Sequence, residues 1–172
     1  MSRTPDSTYQ HGFTLLEIVV VLILMSIIAA TVLGRSITTE EIDLAAQTDK
    51  IGNHIRYAQA TAMKRTDTVW GIKSRADTKE YWLFSGTDPD TGEEPLPGVG
   101  YEAGSTRIDV TELGVDLSGF TLFFDRIGRP YSEYTDETTN TPVAAGNPLQ
   151  VVISNSAGTR SLTVTPETGL IQ

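Results

Sequence analysis

The chain contains no cysteine, and its 172 residues include only two histidines, His11 and His54. The first absence removes disulfide cross-links and thiolate chemistry. The second leaves little for imidazole catalysis or a multi-histidine metal centre. Cationic residues are also few: 13 Lys and Arg stand against 22 Asp and Glu, for a formal net charge of −9. Non-specific nucleic-acid binding rests on Lys and Arg neutralising phosphates, so this balance opposes it, and it opposes a polybasic membrane surface as well. Neither G-x-S-x-G nor a P-loop occurs. "GVGYEAG" has the wrong glycine spacing for a dinucleotide fingerprint and follows "PLP" in a loop. The chain therefore reads as a non-enzyme with no cofactor, and it has no internal repeats.

What the chain does have is one long hydrophobic run. From Phe13 to Leu33 every residue is apolar or small except Thr14, Ser26, Thr31 and Glu17. A cleaved secretory signal has an apolar region of about 7–15 residues followed by a small-residue cleavage site. This run is longer, close to the roughly 20 residues that cross a bilayer. It lacks a convincing A-x-A site, so it reads as a retained helix. Glu17 is then the anomaly, because a charge at the centre of a membrane helix costs roughly 2.5–3.5 kcal/mol on insertion scales. Arg3 and Asp6 precede the run, and Arg35, Glu40, Glu41 and Asp43 follow it. Charge barely decides orientation. The short polar side is placed in the cytoplasm and the larger domain outside.

"GFTLLEIVVVLILMSIIAATV" resembles the prepilin-type segment of type IV pilins and type II secretion pseudopilins. The resemblance implies cleavage by a prepilin peptidase between Gly12 and Phe13, N-methylation of Phe13, and Glu17 as the glutamate that the family places four residues beyond that phenylalanine. It implies that Glu17 pairs with an amino terminus, its own or that of a neighbouring subunit, when helices bundle. Two features differ from the family. The leader is weakly basic, and the position near Gly34 holds no proline. Downstream, "IRYAQATAMKRTDTVWGIK", "FTLFFDRIGRP" and "SLTVTPETGLIQ" resemble minor pseudopilins of the GspH/FimT type.

The run also continues as a helix. Leu44, Thr48, Ile51, Ile55, Ala58 and Ala62 recur in steps of three and four, the stripe of an amphipathic helix, with Gly52 a weak point. One helix from Phe13 to about Arg65 would be roughly 80 Å long. After it, "TVWGIKS", "KEYWLFS", "TRIDVTELG", "FTLFFD", "LQVVIS" and "RSLTVT" read as strands. "GTDPDTGEEPLPGVG" reads as a loop, and "SEYTDETTNTPVAAGNP" as a long, exposed and mobile connection. The expected fold class is α+β: a long N-terminal helix packed on an antiparallel β-sheet domain, pilin-like. The expected divisions are a leader at 1–12, a transmembrane and assembly segment at 13–34, an amphipathic helical half at 35–66, and a periplasmic β-rich domain at 67–172.

Three lesser candidates rest on their residues alone. Asp88, Asp90, Glu93 and Glu94 crowd one loop, and D-x-D-x-G echoes half of a calcium loop, but the later ligands are absent, so an acidic turn is favoured. His54 sits on the helix with no second histidine in a processed chain. Trp70, Tyr81, Trp82 and Phe124 are assigned to the core. The resemblance implies a minor pseudopilin of a type II secretion pseudopilus, anchored in the inner membrane with its domain in the periplasm. Its implied partners are the prepilin peptidase, other pseudopilins or pilins, and an inner-membrane assembly platform. The alternatives are a minor type IV pilin and a DNA-uptake binder. The second would need Arg126, Arg129 and Arg160 to cluster, since the chain ends in the base-free "TPETGLIQ".

Overall fold

The computed structural model describes residues 13–33, 38–65, 67–98 and 105–172. It divides into two units, one ending at Ile37 and one running from Thr38 to Gln172. The first unit holds helix α1 (Leu15–Leu33). The second holds helix α2 (Thr39–Lys64) and all the strands.

The expected single helix is two helices. Thr38 has extended backbone (φ −74°, ψ 154°), and its hydroxyl accepts from the Glu41 amide while the Glu41 carboxylate accepts from the Thr38 amide. This reciprocal capping box satisfies two helix-end donors that a continuous helix would not leave open. Glu40 and Glu41 also place negative charge at the positive end of the α2 dipole. Gly34, near the position that holds no proline, lies outside the described residues.

The predicted stripe on α2 is the buried one: Leu44, Thr48, Ile51, Ile55, Ala58 and Ala62 all face inward. Thr48 returns its hydroxyl to the Leu44 carbonyl at 2.7 Å, which is how a polar side chain is tolerated there. Gly52 is buried as well, facing the Leu162 side chain with room for a methyl group at ordinary contact distance.

The larger sheet contains β1 (Trp70–Arg75), β2 (Glu80–Ser85), β3 (Glu93–Glu94), β4 (Ile108–Asp109), β6 (Phe120–Phe124), β7 (Pro130–Tyr134) and β8 (Asn140–Pro142). Its order is β3-β2-β1-β6-β7-β8, with β4 also paired to β2. The smaller sheet has the order β10-β9-β5, from β5 (Asp116–Leu117), β9 (Leu149–Asn155) and β10 (Gly158–Val164). Every pairing is antiparallel. The architecture is α+β, with a helix packed on antiparallel sheet.

Strand alternation gives the larger sheet two buried faces. Trp70, Ile72, Tyr81, Leu83, Leu122 and Phe124 join α2 and the inner residues of β9 and β10 in the main core. Trp82, Phe84, Phe123, Tyr131 and Val69 form a second cluster on the opposite face. Gly71 stands opposite Phe84 in the β1–β2 register. A Cβ there would collide with the Leu122 carbonyl and the Phe84 ring, so this strand position requires glycine. On α2, Gln59 donates to the Gly128 carbonyl (2.9 Å) and the Thr168 carbonyl (2.7 Å), tying the β6–β7 turn and the C-terminal loop to the helix.

Two loop expectations need correction. The supposedly mobile segment after Ser132 contributes the rest of β7 and all of β8. Its turn is held by Asp136, whose carboxylate accepts from the Thr138 and Thr139 amides, each at 2.7 Å. The "GTDPDTGEEPLPGVG" stretch contains β3, and "TRIDVTELG" contributes only the short β4 before a turn.

Candidate functional site

The structure begins to describe the processing segment at Phe13; Gly12, the expected cleavage residue, lies outside the described residues. Phe13 is exposed. Thr14 starts α1: its hydroxyl accepts from the Glu17 amide at 3.2 Å, and its carbonyl accepts from the Glu17 and Ile18 amides. Glu17 therefore occupies the third helical position of a T-x-x-E cap, where a carboxylate favours the helix dipole. The T-x-x-E spacing of Thr14 and Glu17 is the cap signal legible in the sequence. Unlike Glu41, Glu17 makes no reciprocal bond to its cap residue among the described residues. Its carboxylate is exposed at the first turn.

The large apolar side chains of α1 from Leu15 to Ile28 are 46–82% exposed, with no face covered within its own unit. A helix apolar all round is stable in lipid or among other helices. Its one described hydroxyl beyond the cap, Ser26, bonds the Ile23 carbonyl at 2.7 Å. Side chains of α1 are described only as far as Ala30, and among the described residues no helix is long and apolar enough to cross a membrane.

The acidic loop candidate resolves into ion pairs. Asp90 accepts from Lys73 at 2.7 Å and lies 3.5 Å from Arg75. Glu93 accepts from Arg107 at 2.6 Å and from the Thr106 hydroxyl at 2.6 Å. Glu94 accepts from the Ser85 hydroxyl, and Asp88 from the Asp90 amide. The Lys73 hydrogen bond holds the Asp90 carboxyl below its usual range, and the Arg107 hydrogen bond does the same for Glu93. These carboxylates diverge toward cations. Among the described residues, no three potential ligands gather around a common point.

Those cations share a neighbour that sequence reasoning missed. Arg107, Lys73 and Arg75 lie over the Trp82 ring at 4.2, 5.7 and 5.9 Å from its centroid. The ring nitrogen donates to the Pro89 carbonyl at 2.7 Å. Lys73 stands directly opposite Trp82 in the β1–β2 register. Three cations, two from β1 and one preceding β4, thus cover one tryptophan and are paired by carboxylates of the loop.

His54 is buried, and its Nδ1 lies 3.0 Å from the Tyr81 hydroxyl. Burial first, and the charge of Lys50 second, lower its pKa to about 4. A neutral imidazole in the core is the result. Of the arginines invoked for DNA, Arg126 and Arg129 lie on the β6–β7 turn, where Arg126 sits 3.8 Å from Glu137. Arg160 lies on β10, in the other sheet.

Comparison with known proteins matches residues 7–33 to a family model described as "Prokaryotic N-terminal methylation motif". No curated protein matches the chain. Two solved structures of the minor pseudopilin EpsH from the type II secretion system of Vibrio cholerae are similar to it. One has 13% identity and a TM-score of 0.48, covering 76% of this chain and 94% of that one. The other has 11% identity and a TM-score of 0.48, covering 78% and 94%.

Proposed function

We propose that this type IV pilin-like chain is a minor pseudopilin, a structural subunit of a type II secretion pseudopilus. The observation that carries the reading is the methylation motif at residues 7–33, placed directly ahead of an α+β unit. The precursor is held in the inner membrane with its amino terminus in the cytoplasm. A prepilin peptidase removes residues 1–12 by cutting between Gly12 and Phe13, and Phe13 is N-methylated. Residues 13–34 then serve as anchor and assembly segment, 35–66 as the amphipathic link, and 67–172 as the periplasmic domain.

Glu17 has a physical role in this scheme. Cleavage creates a cationic amine beside the positive end of α1, which is unfavourable by about 0.3–1 kcal/mol. In a bundle that excludes water, a carboxylate one turn away and the amine of a neighbour form a charge-assisted pair. N-methylation keeps the amine cationic, so the pair survives it. The partners are other pseudopilins and the inner-membrane assembly platform.

Two measurements test this. The mass of the mature protein, produced with a competent peptidase, should correspond to a chain beginning at methylated Phe13; retention of residues 1–12 refutes the processing. Glu17→Ala should yield an inserted, processed protein that co-assembles at least about ten-fold less, the loss expected for a desolvated ion pair. Normal assembly refutes the pairing. The same motif also fits a minor type IV pilin. Deletion that abolishes pilus-dependent motility while leaving secretion intact would favour that reading.

A further inference from the structure

On the outer side of the larger sheet, a cavity of about 480 Å³ opens between the α2–β1 connection, the β6–β7 turn and the β7–β8 turn. Its wall is aromatic. Tyr131 and Tyr134 meet edge to face with ring centroids 5.2 Å apart, and Tyr134 leans on Phe123 behind it. Its rim is acidic: Asp67, Asp125, Asp136 and Glu137 contribute four carboxylates, opposed by two cations, Arg126 on the rim and Arg129 beside Tyr131.

These groups are not equally occupied. Asp125 accepts from the Tyr131 hydroxyl at 3.0 Å and from the Ile127 and Arg129 amides. Asp136 caps its own turn. Arg126 faces Glu137 at 3.8 Å, with both side chains largely in water. Asp67 and the Tyr134 hydroxyl make no hydrogen bond among the described residues. Burial, then the charges of Glu137, Asp125 and Asp136, hold the Tyr134 hydroxyl above its ordinary pKa, as expected where negative potential accumulates.

We propose that this cavity docks a basic segment of a partner polypeptide, seating an arginine or lysine side chain between the Tyr134 ring and the Asp67 carboxylate. An aromatic face attracts a cation through its quadrupole, and a neighbouring carboxylate adds direct charge. Ile127, 70% exposed at the rim, offers apolar surface to the stem of such a side chain. A metal ion does not suit the site, because both Asp125 oxygens and Asp136 Oδ1 are already taken by local amides and hydroxyls, and no three potential ligands converge among the described residues. A second copy of this chain does not suit it either, since both surfaces would belong to chains of net charge −9. The inference is independent of the filament assignment, because it concerns the isolated chain.

The test uses the full chain in uncharged detergent micelles and calorimetric titration with an amidated peptide of alternating arginine and glycine. A matching peptide of glutamate and glycine is the control. Tyr134→Leu and Asp67→Asn should each weaken arginine-peptide binding about three-fold or more, the scale of an exposed cation–π contact. Tyr134→Phe, which keeps the ring, should bind as the parent does. Glu112→Gln, on an exposed turn outside the cavity, should also leave binding unchanged. Tryptophan fluorescence confirms that each variant is folded. No binding, equal binding of the glutamate peptide, or equal weakening by Glu112→Gln would overturn the proposal; the last would reduce it to diffuse attraction by an acidic protein.

Discussion

Acidification should destabilise this fold through one residue before it does so through the carboxylates. His54 has a pKa of about 4 when folded, against 6.5 in an unfolded chain. Between these values the unfolded state binds the proton and the folded state does not. Stability present above pH 6.5 is therefore lost as pH falls toward 4, and the loss is complete below that. Going from about pH 7.5 to about pH 4.5, the linkage integral gives about 2.5 kcal/mol. We expect about 2 kcal/mol, because the imidazole keeps a slightly solvated edge, at 8% exposure. Trp70 and Trp82 are both buried in the same unit and report its unfolding in urea. The control is His54→Asn, which keeps a polar atom near Nδ1 to face the Tyr81 hydroxyl but does not titrate. It should be less stable than the parent at neutral pH, through the smaller side chain, yet lose about 2 kcal/mol less on acidification. Asp90, Glu93, Asp109 and Asp136, held below their ordinary range by hydrogen bonds, contribute a loss that lies lower in pH and is common to both proteins. Equal acid sensitivity of parent and variant would refute the assignment.

Arg107→Gln removes the pairs to Glu80 and Glu93 and the stack on Trp82. Because these groups are about a quarter to a third exposed, the expected cost in urea titration is about 1–2 kcal/mol, partly reproduced in the parent by raised salt. Two of the buried glycines, Gly52 and Gly71, should respond oppositely to alanine. Gly52→Ala meets Leu162 at ordinary contact distance (3.5 Å) and should raise stability by about 0.5–1 kcal/mol through helix propensity. Gly71→Ala drives a Cβ into the Leu122 carbonyl and the Phe84 ring and should cost more than about 2 kcal/mol, read as a lower thermal midpoint.

The parts of the fold that sequence displays are those whose burial leaves a period. The α2 stripe from Leu44 to Ala62 is regular enough to name every inward residue but Gly52 and His54, which flank it beside Ile51 and Ile55. β1, β2, β6, β9 and β10 are aromatic or β-branched and can be seen for the same reason. By contrast β3, β4 and β5 are two residues each, and β8 three; they pair by backbone at sheet edges and need no side-chain pattern. The cationic cover on Trp82 was invisible for a related reason. Its three cations come from β1 and the residue before β4, and only strand register brings them over one ring. The break before α2 was hidden by the expectation of a continuous helix, although Thr38 and Glu41 spell a cap.

That cap sharpens the reading of Glu17. Both helices begin on T-x-x-E: Thr14 to Glu17 in α1 and Thr38 to Glu41 in α2. In α2 the box closes in both directions, and the Glu41 carboxylate is spent on the Thr38 amide at 3.3 Å. In α1 only the threonine half forms, and the Glu17 carboxylate accepts nothing among the described residues. Local capping therefore accounts for a glutamate at this position but leaves its charge unsatisfied on a helix whose other side chains are almost all apolar. In water that costs little. Once lipid or neighbouring helices cover α1, an unpaired carboxylate is expensive, and a cation within reach becomes the cheapest remedy. Reversing the two boxes tests the distinction. Glu41→Gln keeps a side-chain acceptor for the cap and should lose at most about 1 kcal/mol of fold stability without affecting assembly. Glu17→Gln likewise keeps a cap-competent side chain but should assemble as poorly as Glu17→Ala. If Glu17→Gln assembles normally, the cap is the whole role of that residue.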